Sequence, residues 1–161
     1  MAAVLLVENF PELERGYRDL LEGMGLTVTS VLKIKELVPG TNKIIAMTPD
    51  HKGWVEVDLD AGFVVALLDF NLGDDSLKGD VIVSTLRELG TFCVGITASH
   101  GGQIKMLWLG ANLAVLNKAT VPQAFSGELK ADGYRWPEDF DVEKNGPAVL
   151  EQLRTLLTAT S

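Results

Sequence analysis

Phe63-Val-Val-Ala-Leu-Leu-Asp69 is the stretch on which the reading of this chain turns. An unbroken apolar run of this length is the pattern of a strand covered on both faces, and it leads straight into a carboxylate. Working outward, Val4-Leu-Leu-Val7 is a second such run, ending in Glu8-Asn9. Phe92–Thr97 and Leu113–Leu116 read as further strands, the latter followed by Asn117-Lys118, and Leu26–Val31 alternates as another. Helical stripes stand between them. Leu13, Tyr17, Leu20, Leu21 and Met24 form one, closed by Gly23 and Gly25, and Val81, Ile82, Thr85, Leu86 and Leu89 form the next, closed by Gly90. Ile104, Leu107 and Trp108 suggest a short helix, and Val149, Leu150, Leu153, Leu156 and Leu157 a last one. Strands separated by single helices predict right-handed crossovers and an α/β fold: a doubly wound, five-stranded parallel sheet with helices on both faces.

Two segments break the alternation. Asn42–Thr48 and Trp54–Leu59 flank a Pro49-to-Gly53 turn and predict a β-hairpin where the second helix is due, replacing or following it. Ala119 to Pro147 is turn-rich, aromatic and acidic, and predicts a surface flap before the last helix. The expectation is a single domain over residues 1–161 with insertions at about 38–60 and 119–147.

Composition excludes several classes of function. The net charge is −8, so a general basic surface for nucleic acid is not expected, and an acidic membrane would repel the chain. Its acidity is concentrated: residues 56–80 carry a net −6 and residues 128–143 a net −4. One cysteine, Cys93, rules out an internal disulfide and a cysteine-rich zinc site, and two histidines argue against a multi-histidine metal centre. No stretch resembles a targeting peptide or a membrane span, so a cytoplasmic protein is expected.

In an open parallel sheet, function gathers beyond the carboxyl ends of the strands. There this sequence places Glu8 and Asn9, Asp69, Thr97 and Lys118. Carboxylates suit a hard divalent cation such as magnesium, a lysine balances phosphoryl charge, and a threonine hydroxyl can donate to a phosphoryl oxygen. Together they describe a site that holds a phosphorylated carboxylate, with Asp69 as nucleophile.

On these residues the chain resembles the receiver domains of two-component response regulators, a flavodoxin-like (CheY-like) fold. Val4-Leu-Leu-Val-Glu-Asn9 is similar to the family's opening strand and acidic pair, and Val65-Ala-Leu-Leu-Asp-Phe-Asn-Leu72 to the strand ending in its phosphoacceptor. Gly95-Ile-Thr-Ala-Ser99 is similar to the strand with the switch hydroxyl. Gly110-Ala-Asn112 with Asn117-Lys118 is similar to the loop and strand ending in the family's lysine. The intervals of 28 residues from Asp69 to Thr97 and 21 from Thr97 to Lys118 fit the family.

The resemblance implies that Asp69 accepts a phosphoryl group from a histidine kinase or phosphotransfer protein. It implies that Glu8 and Asn9, with Asp69 and the Asn71 backbone carbonyl, hold Mg2+, that Thr97 moves toward the phosphoryl group and that Lys118 pairs with it. The implied function is a stand-alone receiver of a phosphorelay that signals by binding a downstream protein partner. It is no enzyme beyond its own phosphorylation and dephosphorylation.

The departures support an alternative, a non-phosphorylated pseudo-receiver acting as a protein-interaction module. Asn9 stands where the family has a metal-ligating Asp, and a neutral amide leaves the site one charge short. Leu113-Ala-Val-Leu116 lacks the family's aromatic switch residue, and Ala119 replaces its proline. Gly73-Asp-Asp-Ser76 is longer and more acidic than usual, so Asp74 or Asp75 is a candidate to approach the ion. Plain readings stand beside the functional ones. Asp69 is also a turn or helix-capping type, Asn9 caps helices as readily as it meets metals, and Thr97 is an ordinary strand-end hydroxyl. His100 and His51 read as solvent-facing loop residues, Cys93 as inert core, and Trp54, Trp108, Tyr134 and Trp136 as packing residues, with Trp108 also placed by the resemblance on the family's usual partner-binding face. A hydrolase using Asp69 would want a second acid where Asn71 stands.

Overall fold

The computed structural model describes residues 2–50, 52–117 and 131–158. In chain order they form β1 (Ala3–Val7), α1 (Pro11–Gly23), β2 (Thr27–Val31), β3 (Lys33–Leu37), β4 (Lys43–Met47), β5 (Trp54–Asp58) and β6 (Phe63–Leu68). A 3-10 turn at Gly79–Ile82 leads into α2 (Val83–Glu88), followed by β7 (Phe92–Gly95), α3 (His100–Trp108) and β8 (Leu113–Val115). After a 3-10 turn at Ala131–Gly133 come β9 (Tyr134–Arg135) and α4 (Val142–Thr158).

The central sheet has the order β2-β1-β6-β7-β8-β9. Its first five strands run parallel, and β9 joins β8 antiparallel, with Val115 opposite Tyr134. Alternate side chains of a strand leave opposite faces, so each continuous apolar run feeds two cores at once. Val4 and Leu6 of β1, Val65 and Leu67 of β6 and Phe92 and Val94 of β7 meet Tyr17 and Leu21 of α1 and Leu150, Leu153 and Leu157 of α4. Leu5 and Val7, Ala66 and Leu68, and Cys93 face the other way, onto Ile82, Val83, Leu86 and Met106.

On that second face the expected hairpin is a three-stranded antiparallel sheet, order β3-β4-β5. β4 and β5 are the two predicted arms, with Met47 opposite Trp54 across the turn. β3 goes beyond the prediction, because its charged sequence Lys-Ile-Lys-Glu-Leu hides the strand period. This sheet buries Ile34, Ile44 and Ala46 against the central sheet, the job a crossover helix would otherwise do. Lys43 on its outer face meets Glu56 at 3.0 Å.

The predicted flap divides in two. Its portion through residue 130 lies outside the described residues, as do Lys118 and His51. Its remaining residues supply the sixth strand and the first turn of α4, which begins at Val142. Tyr134 packs into the first core, and Trp136 stacks on Phe140 with ring centroids 5.0 Å apart.

Cys93 is fully buried, its Sγ 3.6 Å from the Thr91 carbonyl, and burial pushes its thiol pKa up to about 12. Only the thiolate is nucleophilic, so the folded protein should alkylate at pH 8 about a thousandfold more slowly than the unfolded chain. Iodoacetamide labelling followed by intact mass measures this. Equal rates would mean that Cys93 is accessible.

Candidate functional site

The strand ends assemble the site. β1 and β6 run in register to Val7 opposite Leu68, so Glu8 and Asp69 leave the sheet side by side. Backbone bonds hold this exit. The Asp69 N–H donates to the Val7 carbonyl at 2.8 Å, Glu8 N–H to Val31 at 3.0 Å, and Ile96 N–H to Leu68 at 2.9 Å. Thr97 follows one residue beyond Ile96, so Glu8, Asp69 and Thr97 cap three neighbouring parallel strands. All three are buried, Asp69 retaining 4% exposure.

Each has defined neighbours. Glu8 Oε1 accepts from the Phe10 N–H at 3.2 Å, fixing the turn into α1. Thr97 Oγ1 accepts from the Ser99 N–H at 3.1 Å, and Ser99 caps α3 by accepting from the Gly102 N–H at 3.1 Å. Asp69 also leans on a glycine, since a Cβ at Gly79 would stand 1.8 Å from the Asp69 carbonyl oxygen. The Gly79 N–H donates to the Phe70 carbonyl at 2.8 Å, so the chain after Asp69 folds back against its own start.

The other expected ligands fall differently. Asn9 does not cap α1: Phe10 holds the N-cap position, no side chain caps the helix, and Pro11 opens it with its N–H already absent. The Asn9 amide instead leans toward the loop after Asp69, its Nδ2 3.7 Å from where a Cβ on Gly73 would stand. Asn71 is exposed, and its side-chain oxygen accepts from Gly73 N–H and from Lys78 Nζ, each at 3.3 Å. Asp75 is engaged by the extra sheet, and its Oδ1 stands 3.4 Å from the same Gly73 position that the Asn9 amide approaches. Lys33 of β3 donates to both of its oxygens at 2.7 and 2.8 Å, and this bond draws its carboxyl below the usual range. Ser76 accepts from the Ile34 N–H at 2.9 Å. The extra sheet therefore bolts the acidic loop in place, and Asp75 serves that bolt.

Two site residues escaped sequence reasoning. Tyr17 read as core stripe and is fully buried. Burial first, then the charges of Glu8 and Asp69, push its phenol far above the usual range. Gln103 is 1% exposed, and its Nε2 donates to the Thr97 carbonyl at 3.0 Å and the Val115 carbonyl at 2.9 Å. Its Oε1 is buried and has no hydrogen-bond partner among the described residues. The reverse amide orientation would set an oxygen against two carbonyl oxygens, so the chemistry of the partners fixes which atom is which. An orphaned buried acceptor costs about 1–3 kcal/mol, an expense tolerated where a side chain has a task.

Of the apolar residues expected to mark α3, Leu107 packs partly on the second core while Ile104 and Trp108 point outward. Gly102, Gln103 and Met106 form the helix's buried face, while Ile104 is 47% and Trp108 76% exposed. With Leu107, Arg135, Trp136 and Glu138 these two line a groove of about 320 Å³ between α3 and the β9 segment. His100, exposed at the start of α3, accepts at Nδ1 from the Arg135 guanidinium at 2.9 Å.

Two buried carboxylates on adjoining strand ends suit a hard cation that keeps several waters. The described residues contain no group of three or more His, Cys, Asp or Glu side chains placed to hold a metal. They also contain no helix long and apolar enough to cross a membrane.

This arrangement, a parallel sheet with a buried acid at the end of its central strand, is the fold of response-regulator receiver domains. No protein-family model and no curated protein matches the sequence. Solved structures do match. A CheY-like receiver domain protein from Methanospirillum hungatei is similar over 96% of this chain and 98% of its own, with a TM-score of 0.53 and 17% identity. A response regulator from Burkholderia pseudomallei, solved with a phosphorylated aspartic acid, a calcium ion and citrate, is similar over 94% of this chain and 75% of its own, with a TM-score of 0.58 and 16% identity.

Proposed function

We infer that this chain is a phosphoryl-accepting receiver in a two-component relay, with Asp69 as the acceptor. What supports this reading is one observation: Glu8, Asp69 and Thr97 are buried together at the ends of three adjoining parallel strands. An Asp69 carboxylate oxygen attacks the phosphorus of a phosphohistidine on a histidine kinase or phosphotransfer protein. The phosphorus–nitrogen bond breaks and the imidazole leaves. The Thr97 oxygen already accepts from Ser99 N–H, so its own proton remains to donate to a phosphoryl oxygen. Lys118 is assigned the pairing of the remaining charge by resemblance. Glu8 and Asp69, with Asn9 and the Asn71 carbonyl, would hold Mg2+, which when bound offsets the charge of the transferring group. The chain then signals to a downstream protein partner and acts on no other substrate.

The second reading, a pseudo-receiver that binds partners without phosphorylation, is favoured by Asn9 and by the lack of a third metal-ligating acid among the described residues. Incubation with acetyl phosphate and magnesium followed by intact mass separates the two. One added phosphoryl group, lost in Asp69→Asn, is the expected result. No adduct on the wild type would leave the pseudo-receiver standing.

A further inference from the structure

We propose that Gln103 is a positioning residue that couples the Asp69 pocket to the exposed α3 groove. This deepens the receiver reading and rests on it for its biological meaning, though the coupling itself is a property of the fold.

The β7–β8 ladder pairs Val94 with Leu113 and Gly95 with Ala114, and the strands part after that. Beyond it, the carbonyls of Thr97 and Val115 are spanned by the single Gln103 amide, at 3.0 and 2.9 Å. One end of this brace is Thr97, buried at the end of the strand beside the one that ends in Asp69. The other is the last residue of β8, whose onward chain returns through the Leu116 N–H to Gly133 carbonyl bond beside β9. The amide itself belongs to α3, so a shift of the Thr97 backbone moves the helix that carries Ile104 and Trp108 on its outer face.

The chemistry explains why a glutamine serves. One planar amide has two N–H groups, enough for two carbonyls on different strands, and its stem is anchored on a rigid helix. With no aromatic residue in Leu113–Leu116, this bridge ties the Thr97 position to β8 and α3 at once, beside the shorter link through Ser99, which bonds Thr97 Oγ1 and caps α3. The unpartnered Oε1 leaves the amide held from one side only, so it can follow its carbonyls as they move.

The test reads the indole N–H resonance of Trp108, assigned with Trp108→Phe. Two perturbations of the pocket are applied, acetyl phosphate with magnesium and the substitution Asp69→Asn. Each should move the resonance in the protein that keeps Gln103. In Gln103→Met, which retains length and volume without the donors, the movement per unit of pocket change should fall about fivefold or more, the lower end of ordinary coupling. The amount of adduct is measured by intact mass, so the response is normalised to it. An undiminished response in Gln103→Met overturns the proposal, as does a Trp108 resonance that ignores Asp69→Asn in the parent protein. Should Gln103→Met not fold, the two side-chain N–H resonances of Gln103 decide instead. They should shift with Asp69→Asn, and stationary resonances overturn the coupling. Absence of a phosphoryl adduct sinks the Asp69 acceptor reading alone, because the Asp69→Asn arm still decides about Gln103.

Discussion

Gly79→Ala is expected to lower stability by at least about 3 kcal/mol and the melting temperature by roughly 6–12 °C. The new Cβ would stand 1.8 Å from the Asp69 carbonyl oxygen and 2.9 Å from its carbon. Both atoms are backbone, so no side-chain rotation relieves the contact and the chain must move. Movement is costly on both sides. Gly79 is tied to the Phe70 carbonyl at 2.8 Å and opens the 3-10 turn that sets Ile82 and Val83 into the second core. Asp69 is tied to β1 by its own N–H. The Asp69 carboxylate would be carried along, so on the receiver reading phosphoryl labelling should fall with stability. Gly23→Ala is the control, since a Cβ there meets nothing within 4 Å and alanine favours the helix. Thermal denaturation of the two variants checks this, and a melting point for Gly79→Ala within 2 °C or so of wild type would contradict it.

The second large effect belongs to the site. Asn9→Asp should tighten magnesium binding by about tenfold to a hundredfold, because a carboxylate replaces a neutral amide beside two others. Asn9 is free to change in this way, as it does not cap α1 and its amide leans over the loop that follows Asp69. The same substitution should destabilise the metal-free protein by about 1–2 kcal/mol at neutral pH through like-charge repulsion. The sign is set by linkage. Repulsion raises the new carboxyl's folded pKa above its unfolded value, so the penalty is absent below the unfolded pKa and complete above the folded one. Magnesium should remove it. Calorimetric titration with magnesium, and melting with and without the ion at acid and neutral pH, measure both parts. Unchanged magnesium affinity would show that position 9 does not face the cation site.

Much of the fold was legible because its signals are local. Val4–Val7 and Phe63–Leu68 are apolar at every position, and only a strand with a core on each side uses such a run throughout. The parallel sense of the strands follows from crossover rules, their order was supplied by the structure, and the strand-end positions of Glu8, Asp69 and Thr97 follow from the strands. Other features left weaker traces. β3 is written in lysine and glutamate, and it is a strand because Ile34 is buried and β4 pairs with it. β9 spans Tyr134–Arg135 alone, too short to carry a period, and exists through its pairing with β8.

The α3 helix draws the same line at the level of single side chains. Ile104, Leu107 and Trp108 form an apolar stripe that announces a helix without saying which side is covered. Packing against the sheet requires a close approach, and Gly102 allows it, since a Cβ there would run into the Phe70 ring at 2.7 Å. That approach turns Gln103 inward and Trp108 out, against the hydropathy of both. Asp75 is similar, an acid beside the site in sequence and a partner of Lys33 in space. Periodicity and apolar runs are properties of neighbouring residues, so the chain's own order was enough to settle the parallel sheet and the carboxylate at its edge. Which face a helix buries, which loop is bolted down and which polar group bridges two strands depend on residues far apart in the chain, and only their packing together decided them.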